Sequence, residues 1–214
     1  MDRTSKQGIL TVSVMFGSLW GIGEASLGHL LHLASRAILI PGLAGFVMFP
    51  VAFFCMRAAF RMSGSIYSIA LTAGITAVIK MASLVLPSVT LIFVVNPTLS
   101  ILAEGTAVLI FFYLNRYTAQ RYVIPKAVAI SIAWRLLFLL MILVLPVPKG
   151  ILNKGGSALL QFVVIDSMVN GLLIGAFLKV RFRWEKVRLS LAKLPSPIVT
   201  GVLFIGAVTA TIFL

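Results

Sequence analysis

The chain has 214 residues, of which 60% are hydrophobic and only 11% are charged, whereas a soluble domain carries about 25% charged residues. Its mean hydropathy of +1.11 excludes an ordinary soluble protein, because a domain of this size cannot bury so much apolar surface. The net charge of +13 comes mostly from basic residues between hydrophobic stretches. Such residues suit cytoplasmic loops and anionic membrane lipids, so they do not indicate nucleic acid as a partner.

The apolar stretches predict an all-α, polytopic membrane bundle, since they lack barrel-like alternation and a helix satisfies its own backbone in lipid. A single transmembrane domain over 1–214 is expected. Prolines lie at most span boundaries, Pro97 among them, and Pro41 and Pro50 fall inside the second span. The apolar segment 88–96 is too short to cross and is predicted to be re-entrant or interfacial. The seven predicted spans are 8–33, 38–57, 64–86, 97–115, 125–146, 158–180 and 196–214, with six as the alternative.

Basic residues between the spans predict the orientation. If the N-terminus is cytoplasmic, thirteen Lys and Arg lie in inside segments, while only Arg36, Lys149 and Lys154 lie outside. Positive charge collects on the cytoplasmic side of membrane proteins. The sequence therefore predicts a multi-pass protein of the cell membrane with its N-terminus inside and its C-terminus outside.

Five charged residues fall inside the predicted spans and away from the span ends: Glu24, Lys80, Glu104, Arg135 and Asp166. A charge at the bilayer centre costs about 2.5–3.5 kcal/mol, so these side chains are expected to face the protein interior and to pair. At 1.5 Å per residue, all five lie between the midplane and the outer half of the membrane. Because they come from five helices, a compact bundle can gather them around one polar, outward-facing site.

Polar and small residues share helix faces with these charges. Asn96 and Ser100 lie on the face of Glu104, and Asn170 lies one turn from Asp166. In the third span, one polar face holds Ser68, Thr72, Thr76, Lys80 and Ser83. The predicted solute-binding residues are therefore Glu24, Lys80, Asn96, Glu104, Arg135, Asp166 and Asn170.

The charge pattern leaves two interpretations open. The pairs Glu24 with Lys80 and Asp166 with Arg135 are either purely structural ion pairs or part of a binding site, which is the default for ionisable residues in a membrane. Three acids against two bases leave one positive charge missing. This deficit favours a cationic or zwitterionic solute, or one protonated carboxyl. The acids would hold an amine, while Lys80 and Arg135 would hold a carboxylate or balance the acids.

Three further groups of residues are weaker candidates for a functional site. His29 and His32 are one turn apart, but Glu24 lies about 12 Å along the axis from His32, so no metal site is predicted. The sequence around Lys149-Gly150 and Lys154-Gly155-Gly156 lacks the strand, helix and Lys-Ser/Thr context of a phosphate loop and is expected to form a flexible turn that covers the site as a lid. Trp20 and Trp134 either wall an aromatic pocket or pack against lipid.

The small residues Gly17, Gly21 and Ala25 form a seam on the first helix that permits close helix packing. With the chain's size, all-helical hydrophobic design and basic loops, this seam resembles the substrate-binding S components of energy-coupling factor (ECF) transporters. In that family a small-residue motif on the first helix packs against a transmembrane coupling subunit, and the pocket opens outward. The resemblance implies a vitamin-like solute, a coupling subunit and ATPases as partners. That family usually has six spans.

The sequence is consistent with three functions. The first is a solute-binding transport subunit, which needs partners because the chain has no nucleotide-binding motif. The second is a stand-alone proton-coupled carrier with Glu104 or Asp166 as the coupling group, although no inverted repeat is evident. The third is an intramembrane lipid-modifying enzyme using paired carboxylates, although no nucleophile elbow or His-rich box is present. We predict no catalytic residue and no cofactor.

Overall fold

A computed structural model describes residues 3–37, 43–85, 89–115, 122–179 and 196–213. Regular structure within these ranges is helical, without strands, which confirms the predicted all-α class. The helices, in chain order, are α1 (Arg3–Gly23, continuing as Glu24–Gly28 and His29–Ala37), α2 (Leu43–Ser63), α3 (Tyr67–Met81, then a 3-10 turn Ala82–Val85), α4 (Ile92–Asn115), α5 (Val123–Val144), α6 (Gly156–Leu160, Gln161–Ile165 and Asp166–Lys179) and α7 (Pro197–Phe213).

Among the described residues, six helices, α1 to α6, are long and apolar enough to cross a membrane. The seventh, α7, is apolar but has 17 residues, which is the lower limit for a crossing. It packs against α1 and α3, and Ser83 after α3 donates a hydrogen bond to the carbonyl of Thr211 (3.1 Å). The bundle thus has six full-length spans and a shorter apolar helix at its α1–α3 edge.

Two predictions at the fourth span are wrong. The described part of segment 88–96 is not a separate re-entrant element, because α4 already begins at Ile92. Pro97 consequently lies inside α4, in its second turn, rather than at its start. Proline is tolerated there because only one backbone hydrogen bond, near the helix end, is lost.

The second helix is the centre of the bundle. It runs Leu43–Ser63 rather than 38–57 and contains Pro50 as expected, whereas Pro41 lies outside the described residues. It contacts α1, α3, α4 and α6. Five of its apolar residues are therefore almost completely buried: Met48, Phe49, Ala52, Phe53 and Met56.

The small-residue seam of α1 is occupied within the chain. Gly17 and Gly21 lie against Ile75 and Ile79 of α3, and a Cβ atom built on either glycine would come about 3 Å from these isoleucines. The hydroxyl of Thr76 donates to the carbonyl of Gly17 (3.0 Å). The seam, including the buried Ala25, thus serves internal helix packing, and contact with a coupling subunit through it stays a prediction.

A second glycine contact gives a test of this packing. Gly171 of α6 lies directly on Val128 of α5, and an added Cβ would lie 2.5 Å from the Val128 Cα and 2.6 Å from its backbone nitrogen. Backbone atoms cannot move aside, so Gly171→Ala should destabilise the bundle by about 1–3 kcal/mol, the usual cost of overpacking. Unfolding measured in detergent checks this value.

Gly74→Ala is the matched control, since nothing lies within 4 Å of a Cβ at that helical position. The control should unfold at the parent's midpoint or slightly above it, because Ala is the better helix former. Equal midpoints for the two variants would contradict the observed α5–α6 contact.

Candidate functional site

A cavity of about 380 Å³ lies at the end of the bundle where α2 and α4 begin. Its volume is in the range of small-molecule sites, ~300–1,000 Å³. The predicted orientation puts this end of the bundle outside the cell. Its polar lining consists of Glu24, Asn96, Ser100, Glu104 and Lys154, and its aromatic lining consists of Phe93, Trp134, Phe138 and Phe162.

Glu24 enters the wall of the cavity from a distorted turn of α1. It begins the π-helical turn Glu24–Gly28, a feature that is frequent at functional sites because it changes which side chains face inward. The indole nitrogen of Trp20 donates a hydrogen bond to Oε1 of Glu24 (3.2 Å). A Cβ on Gly28 would lie 3.0 Å from Oε2, so the glycine leaves room for the carboxylate.

Glu104 reaches the same cavity from α4. Its side chain is only 2% exposed, and the hydroxyl of Ser100 donates to Oε1 (3.0 Å). The other oxygen, Oε2, is buried without a hydrogen-bond partner. Asn96, one turn before Ser100, likewise has a buried, unpartnered Oδ1. Buried polar atoms are normally hydrogen-bonded, so these two acceptors, whose side chains line the cavity, are exceptions that a bound donor group would satisfy.

The two carboxylates are electrostatic neighbours and repel each other. Neither forms an ion pair with a basic side chain among the residues that the structure describes. Lys80 attracts Glu24, and Arg135 attracts Glu104, but both act from outside the lining. The cavity lining therefore contains two acidic side chains, while the basic residues that attract them, Lys80 and Arg135, lie outside the lining.

Arg135 is completely buried behind the aromatic wall. Its guanidinium carbon lies 4.4 Å from the ring centre of Trp134 and 5.3 Å from that of Phe162. Its Nη1 donates to the carbonyl of Ser131 (3.1 Å) and to the hydroxyl of Ser167 (3.2 Å). Asp166 is its strongest electrostatic neighbour. Arg135 is thus held by cation–π contacts, hydrogen bonds and charge attraction together.

The polar surroundings of Arg135 extend along α6. Asp166 directly follows a second π-helical turn, Gln161–Ile165, and Asn170 lies one turn further along. Asn170 is 0% exposed, and both of its amide atoms lack a hydrogen-bond partner, as does Oδ2 of Asp166. This inner group is separate from the cavity, because none of its members belongs to the lining.

The predicted binding residues thus divide into two sets. Glu24, Asn96 and Glu104 line the cavity, as does Ser100 from the same predicted face. The polar face of α3 does not: Ser68, Thr72 and Thr76 are buried against neighbouring helices. The predicted residues that lie outside the lining are Lys80, Arg135, Asp166 and Asn170.

One lining cation was not predicted from the sequence. The segment expected to be a flexible turn forms a 3-10 turn, Gly150–Lys154, that contributes Lys154 to the cavity. Lys149 anchors the start of this turn by donating to the carbonyls of Ile142, Leu143 and Leu145 at the end of α5. Gly150 has a φ of +49° and lies against Asn96. The sequence analysis expected this segment to cover the site as a lid, but it gave Lys154 no role, because the positive φ of Gly150 and its contact with Asn96 do not follow from the residue pattern.

The described residues contain no group of three His, Cys, Asp or Glu side chains that is able to hold a metal ion. Comparisons of the chain with protein-family models, with curated proteins and with solved structures each return no match.

The link between Arg135 and Asp166 is testable by a double-variant cycle. Arg135→Met removes the charge and leaves Asp166 buried without its main cation, so it should destabilise the bundle by about 3–5 kcal/mol. Adding Asp166→Asn to Arg135→Met should recover at least half of that loss, because position 166 then no longer carries an uncompensated charge. Unfolding midpoints in detergent give the two values. Purely additive losses would contradict the coupling.

Proposed function

We propose that this chain is a membrane transport protein that binds a small solute with a cationic group, such as an ammonium, in the cavity between α1 and α4. The observation that carries the proposal is the pair of carboxylates, Glu24 and Glu104, which reach one cavity from different helices without an ion pair among the described residues. Buried charges require compensation. An ammonium placed between the two oxygens supplies it and relieves their repulsion.

The aromatic wall supports the same ligand chemistry. Trp134, Phe93 and Phe138 line the cavity beside the two acids. Aromatic faces attract cations and bury apolar ligand surface. The solute thus combines a cationic group with an apolar or ring-shaped body, which agrees with the vitamin-like size expected for an S component.

A role as a transport subunit rests on the ECF resemblance and on the absence of a nucleotide-binding motif in the sequence. An energy-coupling membrane subunit with ATPases would then be a partner. Copurification after mild detergent extraction tests this part, since a stable coupling subunit should remain with the chain.

A stand-alone proton-coupled carrier is the second candidate. The observation that favours it is the inner polar group of Arg135, Asp166 and Asn170, which lies behind the cavity with several unpartnered buried atoms. Liposomes that contain only this protein separate the two candidates. Uptake driven by a pH gradient supports the carrier, whereas binding without uptake supports the subunit.

The solute site is tested by neutralising the acids. Glu24→Gln and Glu104→Gln should each weaken binding of benzylamine roughly 10- to 100-fold, because each removes a charge-assisted hydrogen bond worth about 1.5–3 kcal/mol. Isothermal titration of purified protein measures the affinity. Asp2→Asn is the matched control, because the sequence places this acid before the first span. Unchanged affinity in both variants would contradict the proposed site.

A further inference from the structure

We infer that Lys154 is the anion-recognising residue of the cavity and that the solute is a zwitterion, with its ammonium group at Glu24 and Glu104 and its carboxylate at Lys154. This inference rests on the proposed function and names its substrate class. It replaces the sequence-based expectation that Lys80 or Arg135 binds the carboxylate.

The basic residues near the cavity differ in whether their side chains can reach a solute bound inside it. Among the described lining residues, Lys154 carries the only positive charge. Arg135 is completely buried, hydrogen-bonded to Ser131 and Ser167 and placed over the Trp134 ring. Lys80 is not part of the lining and has Glu24 as its electrostatic partner. A solute carboxylate in the cavity therefore meets Lys154 first.

The position of Lys154 suits a solute that carries its two charges at opposite ends. Glu104 is 2% exposed, in the interior of α4, while Lys154 is exposed on the turn at the end of the bundle. The turn meets α4 at Asn96, eight residues from Glu104, or about 12 Å along the helix axis. The acids thus lie deep and the lysine lies at the mouth. The aromatic lining provides apolar contacts for the part of the solute between its charged groups.

Charge balance favours a zwitterion over a simple cation. Glu24, Glu104 and Asp166 oppose Lys80 and Arg135, and this set alone lacks one positive charge. Lys154 supplies that charge, so the cavity and the groups behind it are neutral together. A zwitterion keeps this balance when it binds, whereas a monocation adds an uncompensated charge in a low-dielectric region, which is costly.

Contacts of the 3-10 turn Gly150–Lys154 also fix the position of Lys154. Lys149 donates to three carbonyls at the end of α5, and Gly150 contacts Asn96, whose Nδ2 would lie 2.6 Å from a Cβ at position 150. Any side chain at position 150 would displace either Asn96 or the turn. Gly150→Ala should therefore weaken carboxylate recognition without removing a charge.

Three probes that differ only in the anionic group test the inference: 4-(aminomethyl)benzoate, its methyl ester and benzylamine. Isothermal titration should show that the parent protein binds the zwitterion at least about tenfold tighter than the ester. Lys154→Gln should abolish this preference, and benzylamine should bind this variant as tightly as the parent or more tightly, because the cavity then lacks one positive charge. Lys154→Arg should retain the preference.

Lys126→Gln is the matched control, because it removes one positive charge at the start of α5, where Lys126 bonds to Asn115 at the opposite end of the bundle. It should keep the parent's preference. Equal binding of zwitterion and ester by the parent, or a preference that survives Lys154→Gln, overturns the inference while the amine site stands. Binding of none of the three probes overturns the amine site and the inference together.

Discussion

The repulsion between Glu24 and Glu104 is the constraint on which the other features of the site depend. Two carboxylates that line one cavity inside a membrane lose part of their hydration, and they repel each other when both are ionised. Glu24 accepts a hydrogen bond from Trp20 and is attracted by Lys80. Glu104 accepts one from Ser100 and is attracted by Arg135. These contacts offset part of the cost and leave the cavity side of the acids available.

Local irregularities of the helices make this arrangement possible. The π-helical turns at Glu24–Gly28 and Gln161–Ile165 lie next to the acids of α1 and α6. Gly28 leaves space for the Glu24 carboxylate, and Gly171 brings α6 onto α5 so that Ser167 reaches Arg135. Close helix contacts and distorted turns thus place charges that regular helices would direct elsewhere. Charged side chains and distorted turns both cost free energy inside a membrane, which is a reason to connect them with ligand binding rather than with stability.

The sequence predicted the α4 part of the site because Asn96, Ser100 and Glu104 follow at intervals of four residues, which a helix places on one face. Ser68, Thr72 and Thr76 of the α3 face are also buried as expected, but periodicity does not tell which neighbour a face meets. That face meets α1, where Thr76 bonds to the carbonyl of Gly17. The sequence predicted that the segment of Lys154 covers the site, but it did not predict that Lys154 lines the cavity, because that position depends on the positive φ of Gly150 and its contact with Asn96.

Access of charged reagents to position 100 tests the central claim, that the two carboxylates face a water-accessible cavity. Ser100→Cys, introduced together with Cys55→Ser, puts a thiol beside Glu104. A cationic methanethiosulfonate should modify it at least ~10-fold faster than an anionic one, and Glu24→Gln should reduce that ratio. Leu102→Cys, on the outer face of the same span, is the control and should react with neither reagent, because lipid rather than water surrounds it. Equal rates at position 100, or no reaction with either reagent, would contradict the account.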